Sequence, residues 1–205
     1  MKAKELFDDA MGRAHNLLEL YKHGSKNDDI LRMAVALGVA ALDMYATERF
    51  LSECIPYIRK SKDNKKTADF LEKVGFKMED AVDLLKNPSD RPLRRVRTII
   101  DEVHERDVLQ KFDRIDKSFR LFGLEAFSDK VFKKIGKSAR GKLERMIQRR
   151  HDIVHDADYS SWNRTQNISL RKVEDWIDYM NRYVCTAEEI IRNKFASKRS
   201  RKLQH

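Results

Sequence analysis

The segment 149–158 reads RRHDIVHDAD and brings two arginines, two histidines and three aspartates into ten positions. Arg150 and His155 are the pair with the most chemistry in them. A guanidinium is suited to gripping phosphate oxygens and the extra negative charge of a phosphoryl transition state, and an imidazole titrates near neutral pH and moves protons. On an ideal helix the two lie about 140° and roughly 7.5 Å apart. They converge only if the helix frays near His155 or if a second copy of the segment supplies the partner. His151 and His155, four apart, share one side of such a helix with Asp152 close by. Zinc is an alternative use for a His pair at that spacing, but the carboxylate of an HExxH helix is absent and no third ligand is suggested nearby. No metal and no cofactor is expected, and for the His pair taken alone, two exposed histidines without a role remains an open reading.

Arg150 also breaks a pattern. Leu143, Met146, Ile147, Ile153, Val154 and Ala157 cluster around one helical direction, and Arg150 points close to the centre of that cluster. A charge on an inward stripe must be paired, hydrated in a cleft, or turned toward another subunit. A buried salt bridge to Asp43, the lone carboxylate deep in an apolar stretch, is the purely structural explanation.

The elements that position these residues are helices. Phe7, Ala10, Ala14, Leu17, Leu18 and Tyr21 share a stripe that Gly24 and Ser25 terminate. Asn27 with Asp28 and Asp29 suits an N-cap and first turn, and the run from Ile30 to about Ile55 is apolar on most sides, as befits a helix through the middle of a bundle. Pro56 and the lysine-rich SKDNKK mark its exit. Residues 67–86 predict two helices split near Gly75, NPSDRP is a breaker, and 93–122 is helical with a break in the middle. VFKKI before Gly136 is a short helix. The helix carrying the quoted segment starts near Ser138, and after the polar DYSSWNRTQN, Ser169 caps a last long helix. The expected domain is 1–193, with 194–205 a basic tail. With no alternating segment and no repeat, the fold class is all-α: a helical bundle with several short accessory helices.

Composition agrees. The 205 residues include 3 prolines and 7 glycines, and 37% are charged, which favours helices over sheet. A formal net charge of +10 makes nucleic acid the leading partner class. Cys54 and Cys185 sit far apart in apolar periodic stretches, so two buried thiols in a reducing cytoplasm are expected and a Cys-x-x-Cys metal site is excluded. The opening residues lack a signal-peptide core, and MAVALGVAAL, between Arg32 and Asp43, is short of the roughly 20 residues a membrane span needs. No membrane partner is expected.

Lys133, Lys134, Lys137, Arg140, Lys142, Arg145, Arg149 and Arg150 crowd the approach to the motif, and of these Lys137, Arg140, Lys142 and Arg145 are candidate RNA contacts. Arg91, Arg94, Arg95 and Arg97 form a second cluster, for which a solvated helix face is an equal alternative. Phosphate contacts of this kind give salt-dependent, sequence-blind affinity. Trp176 reads as core, while Trp162, in a polar loop, is available to stack on a base.

With these residues in place, RRHDIVHDAD resembles the Arg-x4–6-His motif of HEPN domains, all-helical domains common in prokaryotic toxin and defence systems. The upstream run 28–50, with Arg32, Ala41, Leu42, Asp43 and Tyr45, is similar to the long helix of the RiboL-PSP-HEPN branch. The resemblance implies a metal-independent endoribonuclease acting as a homodimer on RNA, through 2′-OH attack to leave 2′,3′-cyclic phosphate and 5′-OH ends. It implies Arg150 and His155 as catalytic residues, with His151, Asp152 and Arg149 in support and Asp43 on the facing helix. It also implies a toxin or anti-phage effector with a cognate antitoxin or defence partner. In HEPN toxins silenced through a tyrosine, that tyrosine stands two residues after the motif histidine. Here the place is Ala157, with Tyr159 four after His155, so that control is not implied. The alternative is a catalytically silent HEPN module that binds RNA or a partner protein as scaffold or antitoxin.

Overall fold

A computed structural model describes residues 2–24, 26–87, 92–106, 111–159, 162 and 164–200. Among them the chain forms nine α-helices and no named strand, only an isolated antiparallel bridge between Tyr159 and Thr165. The bundle is built around α2 (Asp28–Lys60), which packs against α1 (Lys2–His23), α5 (Pro92–Arg106), α6 (Phe112–Arg120), α8 (Ser138–His155) and α9 (Leu170–Ser200). The reason lies in its sequence: buried residues from Leu31 to Cys54 fall on several faces rather than one stripe, so the helix is stable only when surrounded. By length and composition alone α2 would also suffice to cross a bilayer, but more than half of its most apolar window is covered by the rest of the chain. Its start is capped as the sequence predicts, the Asn27 side chain accepting from the Asp29 amide at 2.9 Å.

Two boundaries differ from expectation. Pro56 lies inside α2, which runs on to Lys60. A proline near a helix end forfeits one hydrogen bond, and here the next turn is held by packing: the Tyr57 ring meets Phe70 at 4.5 Å and Phe122 at 5.9 Å. At the other end of the chain, α9 continues through Ser200 rather than loosening at Lys194. Lys194 donates to the Gly123 carbonyl at 2.8 Å and Phe195 packs on Phe122 at 6.2 Å, so tertiary contacts extend the helix past the point where its own periodicity fades. Residues 201–205 lie outside the described residues.

The remaining elements follow the sequence. α3 (Asn64–Lys73) and α4 (Met78–Lys86) separate at Gly75, whose φ of 87° only glycine adopts without strain. α4 ends just before NPSDRP and α5 begins at its last residue, Pro92; residues 88–91 are outside the described set. α7 (Phe127–Ile135) closes at Gly136, with φ of 110°. Phe50, Phe119, Phe122 and Phe127 form an aromatic cluster between α2 and the α6–α7 region, with Phe119 and Phe127 stacked at 4.8 Å. Each such ring, fully buried, contributes about 1.5–3 kcal/mol. Cys54 is buried, as expected, but Cys185 is exposed: the bundle buries one face of α9, through Ile177, Met180, Val184 and Ile191, and Cys185 lies off that face.

Candidate active site at the end of α8

α8 is regular through His155 and then stops. The Asp156 and Asp158 amides both donate to the Asp152 carbonyl, at 3.0 and 2.9 Å, and Ala157 and Asp158 take left-handed φ values of 49° and 61°. The chain therefore turns where the sequence predicts, by Ala157. The helix does not fray before His155, so Arg150 and His155 keep the separation of about 140° that a continuous helix imposes.

The two adjacent arginines have different fates. Arg149, not Arg150, is the buried one. Its Nη2 donates to Asp158 Oδ2 at 2.8 Å and to the Gln166 and Asn167 carbonyls at 2.9 and 3.2 Å, while Nη1 reaches Gln166 Oε1 at 2.7 Å. Asp158 is 0% exposed and also accepts from Arg32 Nε at 2.6 Å. Arg32 holds the Gln166 carbonyl as well, through Nη2 at 2.9 Å. One carboxylate oxygen thus joins α2, α8 and the segment that follows α8, and the Gln166 amide closes that segment by donating to the Asp158 carbonyl at 2.9 Å. The supporting role expected of Arg149 toward RNA is corrected: its two terminal nitrogens are engaged inside the protein, and its Nε is buried with no hydrogen-bond partner among the described residues. The stripe reading placed Arg150 at the centre because it assumed one covering face along the whole helix. Near its end α8 is covered instead by the returning chain, and the buried direction rotates from Leu143 and Met146 toward Arg149.

Arg150 is half-buried and makes no hydrogen bond or ion pair among the described residues. The salt bridge to Asp43 is therefore not formed; Asp43 is half-buried on α2. Going round α8 in steps of about 100° per residue, Arg150 is followed by Val154, Ile147, His151 and His155. Val154 is 51% exposed, unusually open for valine, and His151 and His155 are both exposed, their rings 4.5 Å apart. Arg150 and His155 thus flank an arc that is open at Val154 and His151, while Ile147 between them is half-buried against the core. Asp152 lies beyond it and accepts from Gln148 at 2.8 Å.

Of the basic residues upstream, Lys137 and Arg145 are exposed, with no ion pair among the described residues. Arg140 and Lys142 are not free. Arg140 is held by Asp113, Asp129 and Glu144 at 3.1, 2.6 and 2.9 Å, and Lys142 by Asp175 at 2.7 Å while lying 4.3 Å over the Tyr179 ring. As ready-made phosphate contacts both are corrected, because carboxylates from other helices reach them first. In the second cluster Arg95 pairs with Asp83 and Arg97 with Glu48; Arg91 lies outside the described residues. No group of three or more metal-binding side chains gathers among the described residues. Trp162 is 84% exposed and Trp176 only 3%.

Sequence reasoning missed Asp158 and Gln166, and gave Arg32 no physical role. Asp158 was visible as a carboxylate in an otherwise polar connection, but periodicity says nothing about residues outside a helix. Its burial depends on a turn and on a partner 126 positions away.

No curated protein and no solved structure matches the chain. A family model does, that of RiboL-PSP-HEPN, over residues 11–193. HEPN domains are commonly nucleases. The match spans α2 with Arg32, α8 with Arg150 and His155, and most of α9, so the helices that meet at Asp158 are those the family model describes, and the chain belongs to the RiboL-PSP-HEPN family.

Proposed function

We propose that the protein is a metal-independent endoribonuclease that works as a homodimer, with Arg150 and His155 as its catalytic residues. The observation that carries this reading is Arg150. A half-buried arginine with no carboxylate partner among the described residues, on the same helix as an exposed histidine, is a cation kept available for an anion from outside. The ribose 2′-oxygen attacks the adjacent phosphorus, the bond to the 5′-oxygen breaks, and a 2′,3′-cyclic phosphate and a 5′-OH result. His155 takes the 2′ proton or delivers one to the leaving oxygen, a role worth roughly 10²- to 10⁴-fold. Arg150 holds the non-bridging oxygens and the charge that grows on them.

Because a straight α8 keeps the two apart, the second copy completes the site. The arc between them, on which Val154 and His151 are exposed, is the surface on which two α8 helices would meet, bringing Arg150 of one chain toward His155 of the other. Lys137 and Arg145 extend the cationic surface along the same helix. The setting we favour is a cytoplasmic toxin or defence effector.

The test is cleavage of labelled single-stranded RNA in EDTA by wild type, Arg150→Ala and His155→Ala. Cleavage by wild type alone, with cyclic phosphate ends, is expected. Intact RNA with wild type, or equal cleavage by the variants, refutes it, and loss of cleavage on adding EDTA points instead to a metal held by His151 and His155. Mixing the two inactive variants should restore part of the activity if the site is shared between chains. Growth arrest on expressing wild type but not His155→Ala tests the toxin setting.

A second reading has its own support. Met78, Val82 and Leu85 on α4 are 79%, 40% and 82% exposed at the spacing of one helical stripe, which favours a module that docks a partner protein without cutting RNA.

A further inference from the structure

We infer that Asp158 is a positioning residue for His155: by locking the turn that ends α8, its buried carboxylate sets the direction in which the imidazole leaves the helix. The inference rests on the ribonuclease reading for its catalytic consequence, but its structural part stands without it.

The turn does not hold itself. Ala157 and Asp158 are both left-handed, at φ 49° and 61°, and each such non-glycine residue costs roughly 1–2 kcal/mol. Conformations of that kind persist only where their surroundings over-determine them. At Asp158 every connection does so. Its amide binds back to Asp152 within α8, its carbonyl accepts from Gln166, and its Oδ2 accepts from Arg32 and Arg149 at 2.6 and 2.8 Å. Oδ1 takes no hydrogen bond among the described residues, so both guanidinium groups converge on one oxygen and fix the carboxylate in a single orientation. Arg32 carries the reference outward to α2. Two turns along, that helix approaches α8 so closely at Gly38 that an added Cβ would stand 2.7 Å from Met146 Cε. α8 is thus registered against the core helix at two levels, at its middle through Met146 and just past its end through Asp158.

His155 has nothing comparable of its own. Among the described residues its ring meets only His151, at 4.5 Å, and its nitrogens have no hydrogen-bond partner. Its aim comes from the backbone it hangs on, three residues before the locked carboxylate. A general acid–base group displaced by about 1 Å loses on the order of 100-fold in rate, so a device that only holds the helix end is a device for catalysis.

The experiment uses the full chain as wild type, Asp158→Asn and, in case that variant unfolds, Arg32→Lys, which keeps the charge but removes the Nε bond to Asp158. Each is assayed well below its melting temperature. For RNA cleavage we expect kcat to fall about 10- to 100-fold with KM within threefold, since substrate contacts are intact. In parallel, the His155 ring signals, assigned by their loss in His155→Ala, should shift and broaden in both variants, while those of His15 on α1 stay in place. Unchanged kcat and unchanged His155 signals in a folded variant would overturn the inference, as would a loss confined to KM. If wild type cuts no RNA, the ribonuclease reading falls and the ring signals alone decide whether Asp158 positions His155.

Discussion

Arg149 and Arg150 are neighbours in sequence and should behave as opposites in a stability measurement. Arg149→Ala removes a nearly buried guanidinium that donates to four acceptors, leaving the buried Asp158 with Arg32 as its remaining cation. Breaking a buried pair from one side costs about 3–5 kcal/mol, mostly because the surviving charge keeps its desolvation penalty. Against a typical total of about 5–15 kcal/mol that is a large fraction. At roughly 2–4 °C per kcal/mol for a chain of this size, the melting temperature should drop by about 6–20 °C. Arg150→Ala breaks no internal bond and should stay within about 0.5 kcal/mol of wild type. Urea unfolding followed by circular dichroism reads both, with the m-value unchanged if the denatured state is unaffected. Adding Asp158→Ala to Arg149→Ala should cost much less than the two separate losses summed, the mark of residues acting as one unit. Equal destabilisation by the two arginine variants, or a loss under about 1 kcal/mol for Arg149→Ala, would refute the division of roles.

Three further outcomes follow from the same structure. Ala157→Gly should stabilise the protein by about 0.5–1 kcal/mol, since glycine enters the left-handed region without the side-chain clash and the relief exceeds the entropy it adds to the unfolded chain; a lower melting temperature would count against the observed turn. Cys185 should react with a thiol reagent at the rate of an exposed cysteine, whereas Cys54, buried and with its thiol pKa pushed up by that burial, should react only on unfolding. Iodide should quench the fluorescence of Trp162 and leave that of Trp176 nearly untouched, so Trp162→Phe should abolish most of the quenching; in the His155→Ala background, quenching by single-stranded RNA would place a base near Trp162.

Much of the fold is legible in the sequence because helices of this kind announce themselves locally. The apolar saturation of α2, the Asn27 cap, the glycines at 75 and 136 and the stripe on α9 each follow from residues a few positions apart. What sequence reasoning misreads depends on distant chain. Pro56 stays helical because Tyr57 finds Phe70 and Phe122. The end of α9 stays helical because Lys194 and Phe195 reach the region of Gly123 and Phe122. Arg140 and Lys142 look free until Asp113, Asp129 and Asp175 arrive from other helices. The candidate site divides the same way. The chemistry of Arg150 and His155 is visible from type and spacing, but which of two adjacent arginines turns inward was settled by a loop that folds back after the motif.

The long reach of the Arg32–Asp158 contact also sets an order of events during synthesis. A ribosome that has made Arg32 must add another 126 residues before its carboxylate exists, and at about 5–20 residues per second that takes roughly 6–25 s. Over that interval α1 and α2 can emerge and begin to pack, yet the end of α8 has no anchor until the segment after it is complete. A chain released early, anywhere between His155 and Asp158, would carry the whole motif on a helix whose end is untied. Folding of this site is therefore a late event in the life of the nascent chain, and any protein able to bind the emerging α2 would meet it before the site is assembled.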